Sequence, residues 1–274
     1  MLEAGRELAL EAGAALTIEH LRLEEVIQRA RVPRSSVYRM WPYREDYTDD
    51  LLCYLAGEGS WFSDRPVLDP ETFTVVRKVL ADNTGLFASM EGRRALVCEV
   101  VRLTAARNYD SLTESAPWRL HMALVATLGS TRSGLARKRI AAALADAQRR
   151  SRESMVAVLG FLATTLGLRL RDPAYTLDHV QLAGGLLVQS IALRNVQVQA
   201  AVGSPGGAAG TGSGPGAADA AVPSEADVVD GLLNAPIPGP GLHGGQADWT
   251  LAGLAYLGVL DSFMELDPDF TPPA

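Results

Sequence analysis

Cysteine is nearly missing from this chain of 274 residues, with only Cys53 and Cys98 present. They form no Cys-x-x-Cys pair, which excludes a disulfide framework and a zinc knuckle and predicts two buried, inert thiols. Long apolar runs are also lacking. The best stretch, 180–193, is interrupted by Gln181, Gln189 and Ser190 and falls short of the roughly 18 to 20 apolar residues that span a bilayer. Glu3, Arg6 and Glu7 occupy the place where a signal peptide needs apolar residues, so a cytoplasmic protein with no membrane association is expected. The four histidines (His20, His121, His179, His243) show no metal-ligand spacing, so no metal or cofactor is expected. Neither Glu-x-x-His nor Gly-x-Ser-x-Gly occurs, which argues against a di-metal bundle and against a hydrolase. Gly239-Pro-Gly-Leu-His-Gly244 fits Gly-x-Gly-x-x-Gly by letter, yet it follows Pro-Ile-Pro with no strand signal, so it reads as linker. An enzyme is not expected.

Positive charge is missing from the last eighty residues. All 25 Lys and Arg lie at or before Arg194, so the net charge of −7 divides into +2 for residues 1–194 and −9 beyond them. For a polyanion the distribution matters more than the total. Between Arg29 and Arg44 stand five arginines (Arg29, Arg31, Arg34, Arg39, Arg44) and no acid, which predicts a local electropositive patch. A second basic run, Arg137, Lys138, Arg139, Arg149, Arg150 and Arg152, reads as a solvated helix face.

What is abundant is apolar residues at three- and four-residue spacing, which predicts an all-α fold. A first short helix ends near Gly13. A second runs from an N-cap at Thr17 through Leu21, Leu23, Val26 and Ile27. A third runs from Pro33 to Met40, with proline suited to its first turn, and a fourth covers 45–55. Further helices are expected at about 71–89, 93–107, 117–128, 135–166, 177–198 and 249–266. From Val202 to Ser224 the composition collapses to Gly, Ala, Ser and Pro. The domain division expected is 1–56, 57–200, a flexible linker 201–246, and a C-terminal helix in 247–274 that packs on the body or a dimer interface.

The informative stretch is Leu23 to Tyr47. A helix that reads DNA needs small polar and basic side chains near its N-terminal end, apolar residues behind it for docking, and phosphate donors at its flanks. Val26, Ala30, Val32 and Val37 are positioned to form the core between two helices, and Trp41 to pack the short third helix. Arg34, Ser35, Ser36 and Arg39 are left for base edges, since arginine bonds guanine bidentately and serine takes a base edge or a phosphate. Tyr38, Tyr43 and Arg44 are expected on backbone phosphates, with Thr17 as a phosphate clamp at the start of the second helix.

From about Glu7 to Leu55 this pattern resembles the tetracycline-repressor (TetR) family of bacterial regulators. The match is carried by Glu11-Ala-Gly13, Ala30-Arg-Val-Pro33, Val37-Tyr-Arg-Met-Trp41 and Tyr43-Arg-Glu-Asp46. Arg31 stands where the family has its turn glycine, and about four extra residues lie between Gly13 and Leu23. The first helix begins almost at Met1, without the basic lead-in of relatives. The resemblance implies an N-terminal three-helix, helix-turn-helix DNA-binding domain followed by a helical ligand-binding and dimerisation bundle. It implies a homodimer that represses by occupying a palindromic double-stranded DNA operator and releases it on binding a small-molecule effector. Residues 177–198 and 249–266 would then be the dimerisation helices. In the body, Glu99, Arg102, Asn108, Trp118 and His121 are candidate polar anchors for that effector. The competing expectations are a helical scaffold dimer and a DNA binder governed by a protein partner on its acidic tail.

Overall fold

A computed structural model describes residues 1–11, 21–62, 70–128, 134–202 and 225–271. These are mostly helical, with α1 (Leu2–Glu11), α2 (Leu23–Ala30), α3 (Arg34–Met40), α4 (Arg44–Ala56), α5 (Pro70–Asp82), α6 (Met90–Thr113), α7 (Ala116–Leu128), α8 (Gly134–Leu166), α9 (Leu177–Val202), α10 (Glu225–Asn234) and α11 (Leu251–Phe263). Two antiparallel pairings complete them: β1 (Leu168–Leu170) with β4 (Met264–Leu266), and β2 (Ile237–Pro240) with β3 (Gln246–Trp249). Among the described residues no helix is long and apolar enough to cross a membrane.

The chain separates into two compact units, one of Met1–Asp69 with Glu114–Met155, the other of Pro70–Thr113 with Val156–Ala274. This departs from a cut near residue 56. α7 and residues 134–155 of α8 belong with α1 to α4, because Leu120, Leu124, Ala136, Ile140 and Leu144 share one core with Ala9, Val26, Val37, Leu51 and Leu55. In that first core Gly5 permits a close approach of α4 to α1. A Cβ there would lie 2.4 Å from the Tyr47 hydroxyl.

The second unit is built around α6, α9 and α11. Leu96, Val97 and Val101 of α6 meet Val180 of α9 and Leu257 and Leu260 of α11, with Trp249 and Met264 in the same core. Gly184 on α9 leaves room for the ring of Tyr256, whose hydroxyl donates to Gln181 Oε1 at 3.2 Å. Residues 225–246, read from composition as linker, hold α10 and β2 and reach the first residue of β3, which closes a hairpin with β2. Their glycines and prolines serve geometry rather than flexibility. Gly239 clears the Trp249 ring, and the Trp249 indole N–H donates to the Pro240 carbonyl at 3.0 Å. A two-stranded pairing also tolerates proline, which lacks the N–H a central strand would need. The letter match at 239–244 therefore spans the end of β2 and a 3₁₀ turn at Leu242–Gly244. The Gly-rich stretch 203–224 lies outside the described residues.

The acidic C-terminal part of the chain finds its counterions inside this unit. Asp261 pairs with Arg94, Glu265 with Arg169 at 2.8 Å and with Arg171 at 3.2 Å, and Asp267 with Arg169 at 3.4 Å. Arg93, only 3% exposed, donates to the carbonyls of Gly167 (3.5 Å) and Asp267 (2.8 Å), and its guanidinium lies 4.8 Å from the Phe270 ring centroid. Gly167 itself takes φ +67, a left-handed turn closing α8. Replacing Arg93 with Met removes the donors of two carbonyls. Arg93→Met is expected to cost about 2–3 kcal/mol, read as a lower denaturant midpoint for the second unit.

Candidate nucleic-acid interface

The segment from α2 to α4 begins with Leu23, Val26 and Ile27 buried on one face of α2. α2 ends at Arg31, whose backbone is left-handed (φ 53, ψ 37) and whose N–H donates to the Gln28 carbonyl. Pro33 stays extended, just ahead of the helix, and its carbonyl accepts from the N–H groups of Ser36 and Val37 to start α3. α3 stops at Trp41 because Pro42 follows, and a residue before proline is pushed out of the helical region.

α3 buries one residue, Val37, at 2% exposure. At about 100° per residue, Ser35 and Arg39 lie about 160° away from Val37, facing directly outward. Arg34, Ser35, Ser36, Tyr38, Arg39 and Met40 are all exposed. Trp41 is held from behind. Its ring stands edge-on to Tyr47 at 5.3 Å, and its indole N–H donates to Asp50 Oδ2 at 2.9 Å. The other oxygen of Asp50 accepts from Arg139 of α8 at 2.9 Å. Asp50 thus links the end of α3 to α8 within the first unit. Burial alone would push its carboxyl up, but the hydrogen bonds from Trp41 and Arg139 outweigh that and leave it below the ordinary value. Sequence reading missed Asp50 and Arg139, since nothing in the local pattern signals a partner 89 residues away.

The electropositive stretch is more selective than its composition. Arg29 is turned back onto α1, paired with Glu11 at 2.7 Å and Glu7 at 3.4 Å. Its hydrogen bond holds the Glu11 carboxyl below its ordinary value. Arg44 donates to the Leu21 carbonyl at 3.1 Å, and Tyr38 reaches Glu24 at 3.5 Å. Arg6 pairs with Glu3 at 2.9 Å, and Arg22 stands 4.0 Å from Glu25. Among the described residues Arg31, Arg34 and Arg39 have no side-chain hydrogen bond or ion pair. Tyr43 is 71% exposed. Thr17 lies outside the described residues. In the second basic run, Arg149 and Arg150 pair with Asp146, and Arg149 also with Glu153.

The five expected effector anchors are divided between the two units. Glu99, Arg102 and Asn108 stand on α6 in the second unit, Trp118 and His121 on α7 in the first. Glu99 and Arg102 pair with each other at 2.6 Å, and Arg102 Nη1 also donates to the Asp248 carbonyl at 3.4 Å. Asn108 is exposed and Trp118 is fully buried. His121 is 7% exposed, stacked edge-on against Phe62 at 4.9 Å, with Nδ1 lacking a hydrogen-bond partner. It lines a cavity of about 10 Å³ with Leu10, Leu55, Trp61 and Leu124, which is the room one water molecule needs. Among the described residues no group of His, Cys, Asp and Glu is arranged to hold a metal.

Comparison with protein-family models, with curated proteins and with solved structures finds no match in any of the three.

Burial pushes the His121 imidazole down to about 4. The unfolded chain, with an ordinary value near 6.5, binds this proton more readily than the folded one, so stability is lost as pH falls from about 6.5 to about 4. The loss over that window is about 3 kcal/mol. His121→Leu is expected to flatten that part of the stability profile, measured by urea unfolding across pH. An unchanged slope would count against His121 as its source.

Proposed function

We propose that this chain is a DNA-binding transcriptional regulator of the tetracycline-repressor type, in which α2 and α3 form a helix-turn-helix and α3 enters the major groove. The observation that carries this reading is the outward face of α3. Of the seven arginines on the first four helices and their turns, the three without a partner among the described residues, Arg31, Arg34 and Arg39, lie in or just before α3, beside exposed Ser35 and Ser36. Cations left unpaired next to small hydroxyl side chains suit phosphates and base edges. Arg39 and Ser35, opposite the buried Val37, read bases. Tyr43 and Arg44 bond the backbone. Arg29, consumed by Glu7 and Glu11, stabilises the fold.

The protein acts as a homodimer on a palindromic operator, with its two heads about 34–36 Å apart, one helical turn of DNA. Support for a second copy comes from α9. Leu182, Leu186 and Leu193 form a stripe on one side of this helix and are 43%, 57% and 36% exposed. By contrast α11, the other helix that the resemblance assigned to dimerisation, buries Ala252, Gly253, Leu257 and Leu260 within its own chain. α9 therefore forms the larger part of the dimer contact. A small-molecule effector releases the operator by changing the spacing of the heads.

Arg39→Ala is expected to weaken a specific operator by about 1–3 kcal/mol and to relax one base position. Arg44→Ala weakens all sequences alike and lowers the salt slope by about 0.9. The operator is obtained by selection from a genomic fragment pool, and fluorescence anisotropy reads both effects. A full-strength Arg39→Ala complex would refute the base-reading role, and wild type with no salt-dependent binding to random duplex would refute the DNA reading.

Leu186→Glu is expected to shift the dimer to monomer in sedimentation velocity while leaving the helical circular dichroism unchanged. A Leu186→Glu dimer as tight as wild type would remove α9 from the interface.

A further inference from the structure

Arg31 occupies a position that costs an L side chain energy. Its φ of 53 and ψ of 37 lie in the left-handed region, where glycine fits freely and asparagine at little cost. His243 is the other non-glycine residue with positive φ among the described residues. A residue held at such an angle is explained either by the fold or by function. The fold gives little reason for arginine here. Its side chain is exposed and bonds no group among the described residues, and the hydrogen bond closing α2 comes from its backbone N–H to Gln28, which any residue but proline supplies. A cation at a helix C-terminus complements the helix dipole, but Arg29 already lies in the last turn of α2.

We infer that Arg31 is a DNA-phosphate contact, an arginine placed on the turn itself so that its guanidinium lies beside that of Arg34 on one strand. This rests on the nucleic-acid reading of α3 and adds a residue to it. Arg34 follows Arg31 by three positions, a span of at most about 10 Å. One strand of duplex DNA offers a phosphate about every 3.4 Å along its axis, so both side chains can meet one strand. Pro33 lies extended between them and leads directly into α3. Arg31 reads no base, so it raises affinity for every sequence alike and leaves base preference unchanged.

Two full-length variants test this against a purely structural role. Arg31→Asn accepts the left-handed backbone and loses the charge, and Arg31→Lys keeps the charge. Binding to a random-sequence duplex is followed by fluorescence anisotropy between about 50 and 200 mM salt, beside thermal unfolding of each variant. The expected result is a slope of log affinity against log salt lower by about 0.9 in Arg31→Asn, with affinity at the lowest salt reduced several-fold and Tm not lowered. Arg31→Lys keeps the wild-type slope. A wild-type slope in Arg31→Asn overturns the role of Arg31 alone, as does a weaker complex accompanied by a lower Tm that Arg31→Lys fails to restore. Absence of salt-dependent binding by wild type overturns this inference together with the nucleic-acid reading.

Discussion

α3 is seven residues long, too short to persist as an isolated helix. It exists because Val37 is docked into the first core and Trp41 is pinned at its end by Tyr47 and Asp50. That docking is the constraint on which the candidate site depends. With one inward residue and a fixed end, the rotation of the helix is set, and Ser35 and Arg39 are left opposite the core. A slip of one residue would bury Ser36 or Tyr38 in place of Val37, at the cost of a desolvated hydroxyl. Asp50 ties this arrangement to α8 through Arg139, so the pose of α3 is held from two helices rather than one.

Charge is distributed by the same economy. In the second unit, Arg94, Arg169 and Arg171 are matched by Asp261, Glu265 and Asp267 of the C-terminal segment. The net −9 of the last eighty residues is therefore partly spent on bases elsewhere in the same unit, which weakens the case for an acidic tail free to recruit a partner. Around α1 and α2, Arg6 and Arg29 are matched by Glu3, Glu7 and Glu11. Exposed pairs of this kind add little stability, but each takes a cation out of reach of an external anion. The unpaired guanidiniums at Arg31, Arg34 and Arg39 are what remains. Five arginines in a window without acids overstated the patch, because acids far away in sequence were near in space.

Helix positions were legible because periodicity records which face is buried. The segments expected at 117–128, 135–166 and 177–198 match α7, α8 and α9 to within a few residues, and Val37 and Trp41 were correctly taken as core. Composition misled at 225–246, where glycine and proline mark close packing around Trp249 rather than a linker. The expectation of five effector anchors rested on residue type and on their place in the middle helices. Type does not reveal that Glu99 and Arg102 satisfy each other one turn apart or that Trp118 is core.

By itself the sequence determined the helical character, the core face of each helix and the hydroxyl and basic side chains around α3, because these follow from local spacing and chemistry. Tertiary structure decided which of those cations keep no partner, that Asp50 meets Arg139, and that Arg31 takes a left-handed backbone in the turn. Those outcomes depend on contacts between residues 18 to 89 apart in the chain, or on how the docking of α3 closes its turn, and no local pattern encodes them.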